Sequence, residues 1–360
     1  MLIACGLRKG RVAPPRSKSH EHRLLVADFL AGDRTRLAPD DADPEDIKAT
    51  KRCLAALAGE NAEPVLDCGE SGSTMRFLAP VAAALGKKAT FVKKGRLAER
   101  PAIEYGTITP GTFTLPGNVS SQFATGLLFA LPLLDGDSRI EFTSPLESRG
   151  YVDMTLAVLR GAGIEAVETP EGFVIPGRQK YRAQPGVEPE TDWSGAAFWV
   201  CANAIGNEIK IENLPSGSLQ PDARTAEAVR SLGGRIDVSQ FPDAFPALAT
   251  AAACTAAETV FTGTRRLRLK ESDRAAAMAE MLASLGITAA CGENVFSVRG
   301  TGGLLKPAKL RTFGDHRIAM SAAIAATRAS GPVEIDDAAC AAKSYPDFFR
   351  QFAALERKPR

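Results

Sequence analysis

The residues best suited to chemistry in this chain are the charged side chains of the run Lys270 to Arg274. Glu271 lies between the cations Lys270 and Arg274, directly before an apolar-periodic segment that predicts a helix over 275–285. An acid in that setting can exchange a proton with a bound anion. Asp273 suits the helix N-terminus. Taken alone, the run favours a different interpretation, a solvated helix start.

Seven further runs place hydroxyl groups, cations or acids near predicted helix starts. Helix N-termini bind anions through free backbone N–H groups, so each run is a candidate anion site. Ordinary explanations compete: serine is a common N-cap, and glycine serves tight turns. Apolar segments after four of the runs predict helices over 24–30, 77–85, 245–255 and 321–326. The runs cover residues 17–23, 67–76, 96–101, 117–123, 241–244, 314–320 and 341–346.

Two of these runs differ in how well capping explains them. One carries more polar groups than a cap requires, and the other carries an acid that a cap alone explains. Ser120, Ser121 and Gln122 open an almost uncharged segment, and a second serine with a glutamine exceeds the needs of capping. These groups suit phosphate or polyol recognition. Asp243 follows a proline and precedes another uncharged segment, and without context it is interpreted as a plain N-cap.

The elements that must position these residues recur along the chain. An Ala/Leu-rich helix, a glycine stop and a short β-branched strand appear near 155–167, 226–238 and 278–290, with a weaker copy at 47–66. Such recurrence predicts an α/β fold built from repeated βα modules. Strand pairs are predicted over 165–175 and 288–298, whereas the copy at 226–238 is trimmed. The segment 179–189 is the best internal boundary by composition.

Size and composition exclude several classes of protein. The 360 residues predict two domains, and 45% apolar with 24% charged residues is typical of a globular protein. A net charge of +2 gives no overall attraction to nucleic acid. The seven cysteines are scattered without a C-x-x-C spacing, which predicts reduced thiols in the cytoplasm and no metal site. No segment predicts a signal peptide or a membrane span.

The cations of the runs can be weighed against a pair of small anionic ligands. Two phosphates at about −2 each, with two carboxylates, sum to roughly −6. The chain therefore has enough local charge to bind two such molecules without a metal or cofactor. The cations concerned are Lys18, Arg23, Arg100, Lys270, Arg274, Arg317 and Lys343.

The order of the runs resembles the enolpyruvyl transferase family, specifically its EPSP synthase branch. The matching strings run collinearly from Pro15 to Phe348 as S-K-S-x-x-x-R, G-x-S-G-[ST]-x-x-R, E-R-P, S-S-Q-F, S-x-x-Y-x-D-x-T, P-D-A, L-K-E-S-D-R, G-D-H-R-x-A-M and A-K-[ST]-[YF]-P. The resemblance implies a two-domain inside-out α/β barrel of βαβαββ units with pseudo-threefold symmetry, some of them trimmed. It also implies enolpyruvyl transfer from phosphoenolpyruvate (PEP) to the 5-hydroxyl of shikimate 3-phosphate, in a cytoplasmic monomer.

The resemblance further implies a role for each matching residue. Lys18, Asp243 and Glu271 are the implied catalytic residues, with Asp243 a candidate base and Glu271 the candidate acid for the PEP methylene. Shikimate 3-phosphate contacts are implied for Lys18, Ser19, Arg23, Ser120, Ser121, Gln122, Ser148, Tyr151, Asp243 and Lys270. PEP contacts are implied for Lys18, Gly72, Arg100, Gln122, Arg274, Arg317 and Lys343. Residues 16–190 are the implied shikimate-side domain, and 191–360 with 1–15 the PEP-side domain.

The chain departs from the family pattern in several places, and two other functions stay open. It is shorter than the family usually is, near 60–66, 103–113 and 235–240. Glu70 stands where asparagine is common, Ser73 and Phe77 leave glyphosate sensitivity open, and the role of Arg266 is undetermined. One rival is the sister enzyme that uses UDP-N-acetylglucosamine, although residues 92–101 lack its loop cysteine. The other is an inactive anion-binding homologue, which the retained acids disfavour.

Overall fold

The computed structural model describes residues 1–38 and 40–358, in which short strands alternate with helices. The helices are α1 (Lys18–Leu30), α2 (Glu45–Ala58), α3 (Gly72–Ala84), α4 (Ser121–Ala130), α5 (Arg149–Gly161), α6 (Trp193–Ala204), α7 (Thr225–Ala228), α8 (Phe245–Ala253), α9 (Arg274–Ser284), α10 (His316–Ala326) and α11 (Phe348–Ala354). Short 3₁₀ turns join several of them. Three bear on the candidate site: Gly95–Ala98, Pro242–Ala244 and Ala339–Lys343.

The strands are between two and five residues long. They are β1 (Leu2–Ile3), β2 (Arg8–Val12), β3 (Val65–Asp67), β4 (Thr90–Val92), β5 (Thr112–Leu115), β6 (Ser138–Phe142), β7 (Val167–Thr169), β8 (Gly172–Ile175), β9 (Glu208–Ile211), β10 (Arg235–Asp237), β11 (Glu258–Thr262), β12 (Thr288–Cys291), β13 (Val295–Arg299), β14 (Lys309–Leu310), β15 (Val333–Ile335) and β16 (Glu356–Arg357).

Two four-stranded sheets share one topology. One has the strand order β5-β6-β8-β7, and the other has the order β10-β11-β13-β12. In each, the first two strands are parallel with a helix between them, and an antiparallel hairpin follows the second helix. Both are therefore complete βαβαββ units, which confirms the predicted repetition and the two predicted strand pairs.

Two other repeats are shorter than these. β3 pairs with β4 in parallel and encloses α3, and β14 pairs with β15 in parallel and encloses α10. Residues 101–111, which follow the first of these pairs, contain no helix or strand. Each short repeat thus retains the helix that carries candidate site residues, α3 or α10. The antiparallel hairpin found in the larger units does not follow β4 within residues 93–111.

The chain divides into two compact units. We call Lys18–Pro189 the N-terminal unit, and Met1–Ser17 with Glu190–Arg360 the C-terminal unit, whose residues 359 and 360 lie outside the described part. Each unit buries its own apolar core. In the N-terminal unit the core includes most of α4, where Gly126 lets α3 approach, because a Cβ there would lie 2.2 Å from the Arg76 carbonyl oxygen. The assignment of one substrate to each unit stays a prediction.

Three helices begin earlier than their apolar segments predict. The helix predicted over 275–285 is confirmed as α9, but those predicted from 24, 77 and 321 begin earlier, at Lys18, Gly72 and His316. Capping accounts for α3 and α10, since Ser71 and Asp315 each accept a hydrogen bond from a backbone N–H of the following turn, as Asp273 does at α9. The polar runs therefore form the first turns of these helices, where free N–H groups are found.

Candidate active site

In the C-terminal unit, a cluster of charged residues surrounds Arg274 at the start of α9. Its guanidinium is fully buried and contacts three carboxylates: Asp243 through Nη1 at 2.8 Å, Glu271 through Nη2 at 2.6 Å and Asp315 through Nε at 2.9 Å. These contacts raise the pKa of Arg274 although burial opposes them. Arg274 is thus a fixed cation that holds two of the predicted catalytic acids on its two terminal nitrogens.

Asp243 lies at the centre of this cluster, in the 3₁₀ turn before α8. Its carboxylate contacts Lys270 at 3.0 Å and Arg317 at 3.0 Å, in addition to Arg274. Burial acts to raise its pKa, but the cations Arg317, Lys270 and Arg274 outweigh burial and hold the pKa well below its ordinary value. No backbone N–H of α8 is capped by this side chain. The interpretation of Asp243 as a plain N-cap is therefore wrong.

Asp315 fixes the geometry of the cluster from the start of α10. Its buried carboxylate caps α10 at the backbone N–H of Arg317 and accepts hydrogen bonds from Arg274 and the Ser272 hydroxyl. Burial acts to raise its pKa, but Arg274 lowers it overall. Lys343 adjoins this point, since its Nζ donates to the Gly314 carbonyl at 2.8 Å. The three cations Lys270, Arg274 and Arg317 thus face three carboxylates, and the formal charges of these six groups cancel.

In the N-terminal unit, Lys18 is the first residue of α1 and pairs with Asp46. Lys18 Nζ lies 2.7 Å from Asp46 Oδ2, and both side chains are largely buried, with exposed fractions of 14% and 13%. Asp46 belongs to the first turn of α2. A catalytic or ligand role for Lys18 therefore starts from an amine that another helix already orients.

Arg23 is a buried cation held by uncharged oxygen atoms. Nε donates to the Thr155 hydroxyl at 2.9 Å, Nη2 donates to the Tyr151 carbonyl at 2.8 Å, and Nη1 donates to the Ser19 carbonyl. Burial lowers the pKa of Arg23 to about 10, so it stays charged at neutral pH. No carboxylate contacts it among residues 1–38 and 40–358. A buried charge without a counter-ion is costly, which indicates a site for an anionic ligand.

Gly72 opens α3 between two guanidinium groups. A Cβ at Gly72 would lie 2.9 Å from Arg76 Nη1 and 3.1 Å from Arg100 Nη1. Arg76 also donates to the Gln122 side-chain oxygen at 2.6 Å and to the Pro101 carbonyl at 2.8 Å. Gln122 in turn donates to the Ser73 hydroxyl at 2.9 Å. The predicted residues Gly72, Arg100 and Gln122 thus meet at one helix start, through Arg76.

The predicted serine residues lie at the starts of α4 and α5. Ser120 caps α4 by accepting from the Gln122 backbone N–H at 3.3 Å, and Ser121 is the first residue of that helix. Ser148 precedes α5 with a left-handed backbone, φ 56°, and is buried. These helices follow β5 and β6, the parallel strands of one βαβαββ unit. The serine pair and Ser148 thus occupy corresponding turns, where ligands commonly bind in α/β folds.

Two of the runs differ from the predicted helix starts. Lys343 lies at the end of a 3₁₀ turn, and Arg100 follows another such turn, so neither begins an α-helix. The expectation that all seven further runs lie near helix starts is wrong for these two, because their side chains come from turns. Glu70, the departure from the family pattern, lies against one such turn: its carboxylate is 2.8–3.1 Å from the position of a Cβ at Gly95.

Three charged residues were missed as site residues: Asp46, Arg76 and Asp315. Arg76 and Asp315 lie within runs that the sequence singles out, but no role was assigned to them. Asp46 follows Glu45 near an ordinary helix start and carries no signal of its own. Their importance depends on partners distant in sequence, since Asp46 and Lys18 are 28 residues apart and Asp315 and Arg274 are 41 apart.

Two kinds of feature are absent from the described residues. Within 1–38 and 40–358, no three His, Cys, Asp or Glu side chains come together as potential ligands of one metal ion. In the same part of the chain, no helix combines the length and apolar character that crossing a membrane requires.

Known proteins resemble this chain in sequence. The family model described as EPSP synthase (3-phosphoshikimate 1-carboxyvinyltransferase) matches residues 101–238 and 232–352. A 3-phosphoshikimate 1-carboxyvinyltransferase of Clostridioides difficile is 33% identical over 416 positions, covering 96% of this chain and 95% of the relative. One of Clostridium kluyveri is 35% identical over 408 positions, covering 96% and 95%. Both alignments are longer than the 360-residue chain, so these relatives contain segments that it lacks.

Solved structures resemble the fold. An EPSP synthase of Acinetobacter baumannii superposes with a TM-score of 0.75 at 23% identity, covering 99% of each chain. The enolpyruvyl transferase NikO of Streptomyces tendae gives a TM-score of 0.67 at 16% identity, covering 100% of this chain and 98% of the other. The predicted two-domain inside-out α/β fold is confirmed. Nearly full-length identity above 30% and the matching family model show that this chain belongs to the EPSP synthase family.

Proposed function

We propose that this protein transfers the enolpyruvyl group of PEP to the 5-hydroxyl of shikimate 3-phosphate and releases phosphate. The observation that carries the proposal is the pair of carboxylates on one buried guanidinium, Asp243 and Glu271 on Arg274. An inactive anion-binding homologue gains nothing from two acids that compete with its ligand. An enzyme that must both add and remove protons needs them. Family membership and the names of the relatives support the same activity.

The first step of the proposed reaction joins the two substrates. Asp243 accepts the proton of the 5-hydroxyl while that oxygen attacks C2 of PEP. Glu271, in its acid form, delivers a proton to C3. The product of this step is a tetrahedral ketal phosphate that carries a methyl group, and each proton has moved once.

The second step reverses both proton transfers. Glu271 takes a proton from the methyl group, the C2–C3 double bond re-forms, and the C–O bond to phosphate breaks. The departing phosphate receives the proton held by Asp243. Both residues thus return to their starting forms, so the cycle needs no other acid, base, metal or cofactor.

The residues that the family motifs match are proposed to hold PEP. They are Lys18, Gly72, Arg100, Gln122, Arg274, Arg317 and Lys343. The paired guanidinium groups of Arg76 and Arg100 beside Gly72 support this assignment, because they converge on the N–H groups that open α3. Arg76 is added as the residue that orients Gln122.

Shikimate 3-phosphate is assigned chiefly to the N-terminal unit. Ser120, Ser121 and Ser148 are proposed to hold the phosphate, and Ser19, Arg23 and Tyr151 the carboxylate and ring, with Lys18, Gln122, Asp243 and Lys270 at the reacting hydroxyl. Support comes from Arg23, since its buried charge has no acidic partner among the described residues. We also propose that the enzyme acts in the cytoplasm as a monomer.

Phosphate release from PEP tests the proposal. The purified protein is incubated with PEP and shikimate 3-phosphate, with PEP and UDP-N-acetylglucosamine, or with PEP alone. We expect release with shikimate 3-phosphate only. Release with the UDP-sugar would identify the sister activity. Absence of release with either acceptor, from protein shown to be folded, would leave the inactive homologue.

A further inference from the structure

A chain of buried polar side chains crosses three helices of the N-terminal unit. His22 Nδ1 lies 2.8 Å from the Thr50 hydroxyl, which lies 2.6 Å from the Thr74 hydroxyl, and Thr74 donates to the Ser71 hydroxyl at 2.7 Å. All four side chains are at most 1% exposed. The mechanism above uses none of them. A buried hydrogen-bonded network rigidifies the part of the core that it crosses.

The Asp46 carbonyl is a second acceptor for two of these hydroxyls. It lies 3.3 Å from the Thr50 hydroxyl and 3.4 Å from the Thr74 hydroxyl, so the chain also contacts the backbone of the first turn of α2. His22 Nδ1 is the donor or the acceptor toward Thr50 according to the ring tautomer. Burial, Lys18 and Arg23 hold the pKa of His22 well below its ordinary value, in agreement with a neutral ring.

The chain lies one turn below residues that are proposed to bind PEP or to orient its ligands. His22 follows Lys18 by four residues in α1, and Thr50 follows Asp46 by four residues in α2, so each pair shares a helix face. In α3, Ser71 is the cap that precedes Gly72 and accepts from the Thr74 backbone N–H. The first turns of α1, α2 and α3 thus contain Lys18, Asp46 and Gly72, respectively. Next to each of these residues, the same helix carries a residue of the polar chain.

We propose that His22, Thr50 and Thr74 are positioning residues, which set the Lys18 amine and the start of α3 at the spacing that PEP requires. The inference rests on the proposed function, because it takes Lys18 and Gly72 as PEP ligands. A hydrogen bond fixes distance and direction more strictly than apolar contact does. Two such bonds join the three helices, and a third joins Thr74 to the residue that caps α3. Removing one link loosens the spacing without touching a group that contacts substrate.

Thr50→Val tests this inference, since it keeps the side-chain shape and removes the middle hydroxyl. We expect the KM for PEP to rise about tenfold. The KM for shikimate 3-phosphate should rise by less, because Lys18 is assigned to both substrates whereas Gly72 is assigned to PEP alone, and kcat should stay within about threefold of wild type. Thr50→Ser retains the hydroxyl and is expected to restore the KM for PEP. Thr250→Val is the matched control, because Thr250 is also fully buried but bonds only within its own helix, to the Pro246 carbonyl.

The outcomes separate positioning from stability. If Thr50→Val and Thr250→Val lose similar free energy of unfolding and both keep the wild-type KM for PEP, the polar chain is only structural and the inference is overturned. Should Thr50→Val not fold, Thr74→Val removes the next link and carries the same expectation. A wild-type protein that releases no phosphate contradicts the proposed function instead, so the two failures are distinguishable.

Discussion

Each unit contains one deeply buried site arginine, Arg274 or Arg23, and the two are stabilised in opposite ways. In the C-terminal unit, Arg274 is surrounded by Asp243, Glu271 and Asp315, and the charges of the cluster cancel. In the N-terminal unit, Arg23 is equally buried, but carbonyl and hydroxyl oxygens hold it. One unit compensates its cations with its own acids, whereas the other orients a cation and leaves its charge for a ligand.

The two arrangements suit different kinds of chemistry. Acids that are already paired with arginine change their proton affinity when an anionic ligand takes over the arginine, so the C-terminal cluster suits proton transfer. A buried cation with neutral partners keeps a constant attraction for anions, which suits binding. The comparison therefore predicts that variants of the first kind change kcat and that variants of the second kind change KM.

The largest effect is expected from Glu271→Gln. The glutamine side chain keeps the size of the original and cannot deliver or accept the C3 proton, so kcat should fall by about 100-fold to 10,000-fold, with little change in the KM for PEP. Steady-state phosphate release measures both parameters. Glu293→Gln is the control, because Glu293 is an exposed acid that pairs with Arg265. A kcat within about threefold of wild type would remove Glu271 from the acid–base role.

Arg23→Lys should have the next largest effect. Lysine keeps the charge but cannot direct three hydrogen bonds to Ser19, Tyr151 and Thr155, so the cation is no longer oriented. The KM for shikimate 3-phosphate should rise about tenfold to 100-fold, and the KM for PEP should not change. Titration of each substrate at saturating concentration of the other measures this split. A rise confined to the KM for PEP would reverse the assignment of Arg23.

Asp243→Asn is expected to change catalysis and binding in opposite directions. Removing the base lowers turnover, but it also frees Arg274 and Arg317 from a carboxylate that competes with PEP. Calorimetry should therefore show PEP alone binding about tenfold more tightly to the variant than to wild type. Asp347→Asn, which breaks an exposed pair with Arg350, serves as the control. Weaker binding of PEP to Asp243→Asn contradicts a self-compensated cluster.

The smallest effect concerns acid stability. Cations lower the pKa of Asp243 and Asp315 in the folded protein, so these carboxylates stabilise it above the unfolded value of about 3.9. That contribution diminishes as pH falls from the unfolded value toward the lower folded pKa of each group. Urea unfolding between pH 6 and pH 3 should show the loss, and the Asp243→Asn protein should lose less. Equal losses in the two proteins would indicate that other carboxylates dominate.

The sequence predicts the repeated fold well because its signals are local. Glycine stops and β-branched strands identify the hairpins over 165–175 and 288–298, and the structure confirms both. Helix starts are less well predicted, since α1, α3 and α10 begin several residues before their apolar segments. Polar first turns hide those starts, because the periodicity that reveals a helix comes from its buried face.

The candidate site was only partly predictable for a related reason. The charged strings name Asp243, Glu271 and Arg274, but not which acid faces which cation. The sequence does not indicate that Asp46 pairs with Lys18, because the pair forms only when α1 and α2 pack together. The polar chain from His22 to Ser71 could not be predicted either, since a threonine within a helix carries no signal of which side chains it contacts.

The assignment of Glu271 as the acid that protonates PEP is best tested by proton exchange at C3 of PEP. The reaction is run in deuterium oxide to partial completion, and the deuterium content of the remaining PEP and of the enolpyruvyl methylene of the product is measured by mass spectrometry. With wild-type protein we predict deuterium in the product, because C3 passes through a methyl group and loses one of three hydrogens. With Glu271→Gln we predict no deuterium in either molecule over the same time. Deuterium incorporation by Glu271→Gln at the wild-type rate would contradict the assignment of Glu271 as the acid that protonates PEP.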